Sequence, residues 1–291
     1  DGSIGQIPQN HFYALEVLRN TGTEQQKQKL YAEVLKGARF GNALAEFKTK
    51  NATQKQTAIT PTEHGFVVNG EKFYCTGSLF AHRIPTLVKD HENREFLAFI
   101  TRESEGLELI DDWSGFGQRT TGSGTVKFNN VQVAAEDIIP FDTAFSQATL
   151  VGPFAQIMHA AIETGIARAA FEETLHRVRQ ARPWIDSGVD QATADPLILF
   201  ELGRIVADVR ASEVLLKQAA RSIDAAKPQP TAHNIAKASL DVAKVRAHST
   251  ETALKASSKL IELAGSRGSQ REDGLDRFWR NARVHTLHDA S

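Results

Sequence analysis

Two runs of apolar residues at three- and four-residue spacing, or multiples of it, constrain this chain more than any other feature. The first takes in Leu199, Leu202, Val206, Val209, Leu216 and Ile223. The second takes in Ile235, Ala238, Val242, Val245, Ala256, Leu260 and Leu263. Such spacing gathers each set on one face of a helix. At about 30 residues apiece, each helix would run roughly 45 Å. Between them "AAKPQPTAHN" interrupts the pattern, with Thr231 placed as an N-cap. Long helices with so short a connection pack antiparallel, so the chain from about Phe141 onward is predicted to be a helical bundle.

The preceding stretch has another texture. From Phe40 to about Pro140, short β-rich runs alternate with turn residues and no long helix intervenes. "QTAITPTEHGFVVNGEKFYCTGS" centres on Asn69-Gly70, a strong hairpin signal. "PTLVKDHENREFLAFITRE" repeats the scheme with "HEN" as its turn, and "GTVKFNNVQV" alternates apolar and polar residues. These runs predict an antiparallel sheet or small barrel. Before them, residues 10–37 read as helix, broken at Thr21-Gly22, restarted by Thr23 as N-cap and stopped at Gly37. The expected class is therefore α+β, in three segments. These are an N-terminal helical segment at 1–39, a β-sheet or barrel domain at 40–140 and a C-terminal helical bundle at 141–291.

Composition narrows the function. The 291 residues are 41% hydrophobic and 24% charged, the balance of a globular enzyme. A net charge of -1 argues against electrostatic binding to nucleic acid or to an anionic membrane. The one cysteine, Cys75, permits no intramolecular disulfide and suits a reducing cytoplasm. No apolar run reaches membrane-spanning length, and "DGSIGQIPQN" is not a signal peptide. The sequence reads as a piece of a longer protein, lacking residues at both ends.

Five stretches carry candidate chemistry. "WRNARVHTLHDAS" reads as the last turn of a long helix and holds His285 and His288 three apart, with Asp289 beside the second. A metal site would need a third ligand and the Glu that follows the first His in metalloprotease helices. Charge at a helix C-terminus is the ordinary use of such histidines. Proton transfer or hydrogen bonding to a ligand is the third possibility. "LAGSRGSQREDG" sets Arg267 among glycines after a helix, an arrangement suited to phosphate but also to a plain turn. "QARPW" places Arg182 at a helix end stopped by Pro183. "DDWSGFGQRTTGSGTVKFNNVQV" offers Trp113 on a loop, where it can stack on a ring system or simply anchor the loop. "FYCTGS" ends a strand in hydroxyls and glycine, which fits either a flat cofactor edge or a turn.

Together and in this order, these motifs resemble the acyl-CoA dehydrogenase superfamily over nearly the whole chain. "GEKFYCTG" stands where that family has "GxKxWITN", with Thr76 at the flavin-contacting Thr and Tyr74 at the Trp. "FGQRTTGSGTVKFNNVQV" is similar to "MGxRxTxxxxVxFxxVxVP". The closing "WRNARVHTLHDAS" resembles "YRDARxxxIYEGT", with His288 at the Tyr and Asp289 at the Glu that serves as base. "FGNALAE", "DDW", "QARPW", "DGSIGQIPQNHF" and above all "FWRNARVHTLHD" resemble the flavin-dependent monooxygenases built on this fold. That subgroup holds dibenzothiophene monooxygenase and SfnB-like sulfur-acquisition oxidoreductases.

The resemblance implies a two-component monooxygenase. Reduced FMN, supplied by a separate NAD(P)H-dependent flavin reductase, would react with O2 to a C4a-hydroperoxide and oxygenate a small organosulfur compound. FAD is the alternative flavin. Asn42, Thr76 and Trp113 would border the isoalloxazine; Arg267, Gly268 and Ser269 would meet the phosphate, with Arg182 reaching in from a neighbouring subunit. His288 would hydrogen-bond the flavin oxygen, supported by His285, and His11 is a candidate for the substrate pocket. Ala45 replaces the Thr that the dehydrogenases carry before their first β-motif Glu. The alternative reading is an FAD-dependent acyl-CoA dehydrogenase or oxidase with Asp289 as base; a flavin-free scaffold is the third. A homotetramer is expected, from the resemblance and from a second apolar stripe left uncovered on the long helices.

Overall fold

The computed structural model describes residues 1–46 and 56–288. Asp289 lies outside the described residues. The helices are α1 (Gly2–Gln6), α2 (Gln9–Thr21), α3 (Glu24–Leu35), α4 (Thr143–Ser146), α5 (Val151–Gln180), α6 (Pro196–Ala226), α7 (Ala232–Leu263) and α8 (Asp276–Thr286). Seven strands lie between α3 and α4: β1 (Ala58–Thr62), β2 (Gly65–Lys72), β3 (Arg83–Lys89), β4 (Glu95–Thr101), β5 (Leu107–Ile110), β6 (Thr125–Val133) and β7 (Ile138–Pro140). The α+β class holds. Internal contacts divide the described chain into two compact units. One comprises Ile4–Ser114 and Arg119–Phe154; the other comprises Asp1–Ser3, Gly115–Gln118 and Ala155–Ser291. The three expected segments follow element type, whereas these units follow packing, and α2 and α3 pack into the sheet's unit.

In the first unit the strands form one sheet in the order β5-β6-β2-β1-β3-β4-β7. All neighbours are antiparallel except β1 and β3, so the sheet is mixed where a purely antiparallel one was expected. Side chains alternate across a strand, and β4 buries both faces. Leu97 and Phe99 join Val17, Leu18 and Leu30 of α2 and α3, while Ala98 and Ile100 join Ile59, Val68 and Val131. The Thr23 cap is present as a capping box. Its hydroxyl accepts from the Gln26 N–H while the Gln26 side chain accepts from the Thr23 N–H.

Asn69-Gly70 does not turn a hairpin. The β1–β2 turn is at Glu63-His64, and β2 runs straight through Asn69. The pair instead faces a bulge, where the β2–β6 register shifts between Val68 and Gly70. Asn130 takes the left-handed conformation there, at φ 53. The Asn69 carboxamide oxygen accepts its N–H at 2.8 Å. Gly70 sits at φ +148, and a Cβ on it would lie 2.7 Å from Thr57 Cα. The conformational licence of Asn-Gly was spent on close approach to β1.

In the second unit, α5, α6, α7 and α8 share a core that includes Ile166, Ala170, Ile205, Val209, Leu260 and Ala282. Thr231 caps α7 by accepting the Asn234 N–H, as expected, and Asp195 caps α6 with Pro196 at its first position. Every member of the α7 stripe is buried. The α6 stripe holds at Val209 and Ile223, but its first turns are set one residue earlier. Ile198, Ile205, Val209 and Ile223 are buried, whereas Leu199 is half exposed beside the exposed Leu197 and Phe200. Among the described residues, no helix is long and apolar enough to cross a membrane.

Candidate active site

The terminal helix is shorter than its sequence suggests. α8 ends at Thr286, and His288 lies just beyond it in a turn closed by its own N–H on the His285 carbonyl at 3.1 Å. Segment Gly115–Gln118 of the "DDWSGFGQ" loop fixes α8 in place. Phe116 stacks on Trp279 with centroids 6.1 Å apart. Arg280 Nη1 donates to the Phe116 carbonyl at 2.8 Å, and the Gln118 N–H donates to Asn281 Oδ1 at 2.8 Å. At Gly117 a Cβ would lie 2.0 Å from the Arg280 carbonyl oxygen, so only glycine fits.

Held this way, α8 buries His285 completely. Its Nδ1 is 3.1 Å from Glu163 Oε1, and its Nε2 is 3.1 Å from Nδ1 of His159. The His288 ring lies over that of His159 with centroids 4.3 Å apart. His159 and Glu163 are one turn apart on α5. Arg246 of α7 pairs with Glu163 through Nη1, and Ser249 and Thr250 each donate to Glu163 Oε2 at 2.9 Å. His285 is no exposed charge at a helix end. Among the described residues, no group of three or more His, Cys, Asp or Glu side chains could hold a metal ion.

Charges in this cluster are set by burial. Desolvation holds the His285 imidazole below its ordinary value of 6.5, against the pull of Glu163. Burial alone would raise the Glu163 carboxyl, but the His285 hydrogen bond, the neighbouring positive charges and Ser249 bring it below 4.5. A neutral His285 supplies no positive charge near neutrality. Arg246, always charged, is therefore the partner that keeps Glu163 ionised.

The sheet unit brings its own candidates together. Thr76 Oγ1 is 2.8 Å from Ser123 Oγ, which is 2.7 Å from Thr121 Oγ1, a buried line of three hydroxyls. The Asn42 backbone N–H donates to Ser78 Oγ at 3.1 Å, and Ser78 Oγ donates back to the Asn42 carbonyl at 2.8 Å. Tyr74 adopts φ 67, strained for a residue with a large side chain. Its half-exposed ring meets Trp113 edge-on at 6.1 Å. His11 borders a cavity of about 550 Å³ lined by Ile7, Phe12, Val34, Phe40 and Phe80. Its Nδ1 accepts the Phe40 N–H at 3.1 Å, so the neutral ring carries its proton on Nε2. Burial, then the Arg39 charge, lowers its pKa.

Arg267 lies exposed in the turn Gly265–Ser269, where Gly265 has φ +70. It borders a groove with Arg177, Gln180, Gln270, Glu272 and Asp273. Arg177 is committed to Glu173 and Asp273. Gly268 is buried, and a Cβ there would lie 2.8 Å from Ala264 Cβ, a packing reason for glycine. Ser269 Oγ donates to the Ser266 carbonyl at 2.6 Å. Arg182 is exposed beyond the end of α5. Sequence reasoning missed His159, Glu163, Arg246, Ser123 and Thr121. A usable signal was His159 and Glu163 at i and i+4 in the largely apolar "HAAIETGIARAA".

N-terminal helices, a mixed sheet and then long bundle helices place the chain in the acyl-CoA dehydrogenase-like class. A family profile described as "Acyl-CoA dehydrogenase, C-terminal domain" matches residues 157–291. Within that class, the chain belongs to the dibenzothiophene monooxygenase family. Dibenzothiophene monooxygenase of Rhodococcus erythropolis is 31% identical over 311 residues, covering 99% of this chain and 73% of the relative. A probable FMNH2-dependent monooxygenase, SfnC of Pseudomonas putida, is 28% identical over 99% of this chain and 74% of its own length. The crystal structure of FMN-bound TdsC from Paenibacillus sp. A11-2 superposes with a TM-score of 0.94 at 29% identity, covering 99% of this chain and 76% of that one.

Proposed function

We propose that this chain is a flavin-dependent monooxygenase that uses reduced FMN and O2 to oxygenate a small organosulfur compound. The observation that carries this reading is His288 seated on the buried His159–His285–Glu163–Arg246 chain. That arrangement suits holding an imidazole for proton transfer, whereas a dehydrogenase needs a carboxylate base. The names of the relatives, two of them monooxygenases and one bound to FMN, support the same reading.

Bound reduced FMN would supply the electrons that activate O2. The residues of this chain would do the rest. His288 would donate a hydrogen bond and pass a proton to the reacting oxygen, with His285 behind it and Asp289 next in sequence. The Thr76 hydroxyl line and the Asn42 carboxamide offer donors and acceptors of the kind a flavin ring edge requires, and Trp113 offers a flat apolar partner. This donor set fits a flavin. Arg267 makes no ion pair among the described residues, and with Gly268 and Ser269 it suits a single phosphate. Arg182 would approach from a neighbouring subunit. His11 would give a largely apolar pocket, which Arg39 also lines, one N–H donor for substrate. A separate NAD(P)H-dependent reductase would deliver the flavin, in a reducing cytoplasm.

Two measurements test this reading. Reduced FMN should bind, and sulfides or sulfones should stimulate oxygen uptake only when reduced flavin is supplied. Anaerobic bleaching of bound FAD by an acyl-CoA would instead establish the dehydrogenase. Arg267→Ala should weaken FMN by about 2 kcal/mol while leaving riboflavin, which has no phosphate, almost unaffected. Equal loss for both ligands would remove Arg267 from the phosphate.

The exposed Leu197, Phe200, Val214 and Leu240 are large apolar side chains on α6 and α7. They support assembly into a homotetramer, which light scattering at micromolar concentration should show. A monodisperse monomer would contradict it.

A further inference from the structure

The buried groups behind His288 form an ordered series. Glu163 is ionised against Arg246 and can only accept hydrogen bonds. At 3.1 Å, Nδ1 of His285 must therefore carry a proton and donate it to Glu163 Oε1. A neutral His285 then has a bare Nε2, which accepts from Nδ1–H of His159 at 3.1 Å. His159 then donates from Nδ1, and in the Nδ1–H tautomer its lone pair is on Nε2. Among the described residues, the groups facing this pair include Glu163 of the same helix, Arg246 with Ser249 and Thr250 from α7, and His288 past α8.

We propose that Glu163 and His159 are positioning residues for His288: Glu163 fixes His285 as the Nδ1–H tautomer, His285 fixes His159 likewise, and the His159 ring seats His288. The device resembles the carboxylate that hydrogen-bonds and orients a working histidine, but it runs through two imidazoles in series before reaching the third. Its consequence is that a residue which never touches flavin or substrate decides how His288 is held. Without the Glu163 acceptor, both buried rings are free to exchange tautomers, and the surface under His288 loses its fixed pattern of donor and acceptor. The role given to His288 rests on the monooxygenase reading; the order of the tautomers does not.

The test uses flavin-free protein labelled with 15N-histidine, read by long-range proton–nitrogen NMR near neutral pH. Wild-type His159 and His285 should both be neutral Nδ1–H tautomers, assigned with His159→Gln and His285→Gln. A double variant, Glu163→Leu with Arg246→Leu, removes acceptor and counter-charge together. It should move both rings towards the Nε2–H form. With reduced FMN supplied, its turnover should fall about a hundredfold, with flavin affinity unchanged. Glu163→Asp, which keeps the anion, should retain the wild-type tautomers and part of the turnover.

Wild-type rings found as Nε2–H, or Nδ1–H forms that persist in the double variant, would overturn the proposal. If the double variant does not fold, the wild-type and Glu163→Asp spectra decide alone. Expected tautomers in a wild-type protein that oxygenates nothing would sink the monooxygenase reading and leave the ordered series standing.

Discussion

His288→Phe should fold, bind reduced FMN with little change and lose oxygen insertion by about a hundredfold or more. His288 lies on the surface past the end of α8, so the substitution disturbs no core. A phenyl ring can keep the tilted ring contact with His159, now 4.3 Å between centroids, but has no nitrogen to donate or pass a proton. Oxygen should still be consumed and appear as hydrogen peroxide instead of oxygenated product. Asp289→Asn should do much less harm. Product, peroxide and oxygen uptake measured side by side would check this. Unchanged product from His288→Phe with collapse in Asp289→Asn would hand the chemistry to Asp289 and favour a dehydrogenase.

The second large effect is on stability. Glu163→Leu alone should destabilise the fold by about 3–5 kcal/mol, because it leaves Arg246 buried without a counter-charge. The double change with Arg246→Leu should recover most of that loss. Urea unfolding of both proteins measures the difference. Acid should act on the same cluster. Burial holds the His285 imidazole below 6.5, so below that pH the unfolded chain binds a proton that the folded one does not. Stability is therefore full above about pH 6.5 and falls as the pH drops through that value. Glu163, held below 4.5 in the folded protein, adds a second loss that begins below about pH 4.5. His285→Gln should shrink the first loss to the part owed to His11, whose pKa is also lowered, and keep the second. A stability profile flat from neutral pH down to 4.5 in wild type would show that His285 is not held neutral.

Much of this protein was legible in the residues themselves. The three- and four-residue spacing of Ile235 to Leu263 found the buried face of α7, because helical periodicity is a property of adjacent turns. Thr23 and Thr231 named their caps, because a cap is made within three residues. The closing "HTLHD" pointed to the family. Where local preference allowed two outcomes, only the fold chose. Asn69-Gly70 suits a hairpin or a bulge alike, and the approach of Thr57 and the pairing with β6 selected the bulge. Leu199 and Ile198 could each have led the α6 stripe, and packing in the bundle buried Ile198. Beyond the His159–Glu163 pair on α5, the Glu163 cluster was out of reach of local reading. Its partners lie 83 and 122 residues from Glu163, and His159 and His285 are 126 apart. No spacing rule spans such distances. Those side chains meet because α5, α7 and α8 bury their apolar faces in one core, which carries the polar groups among them into contact and out of water.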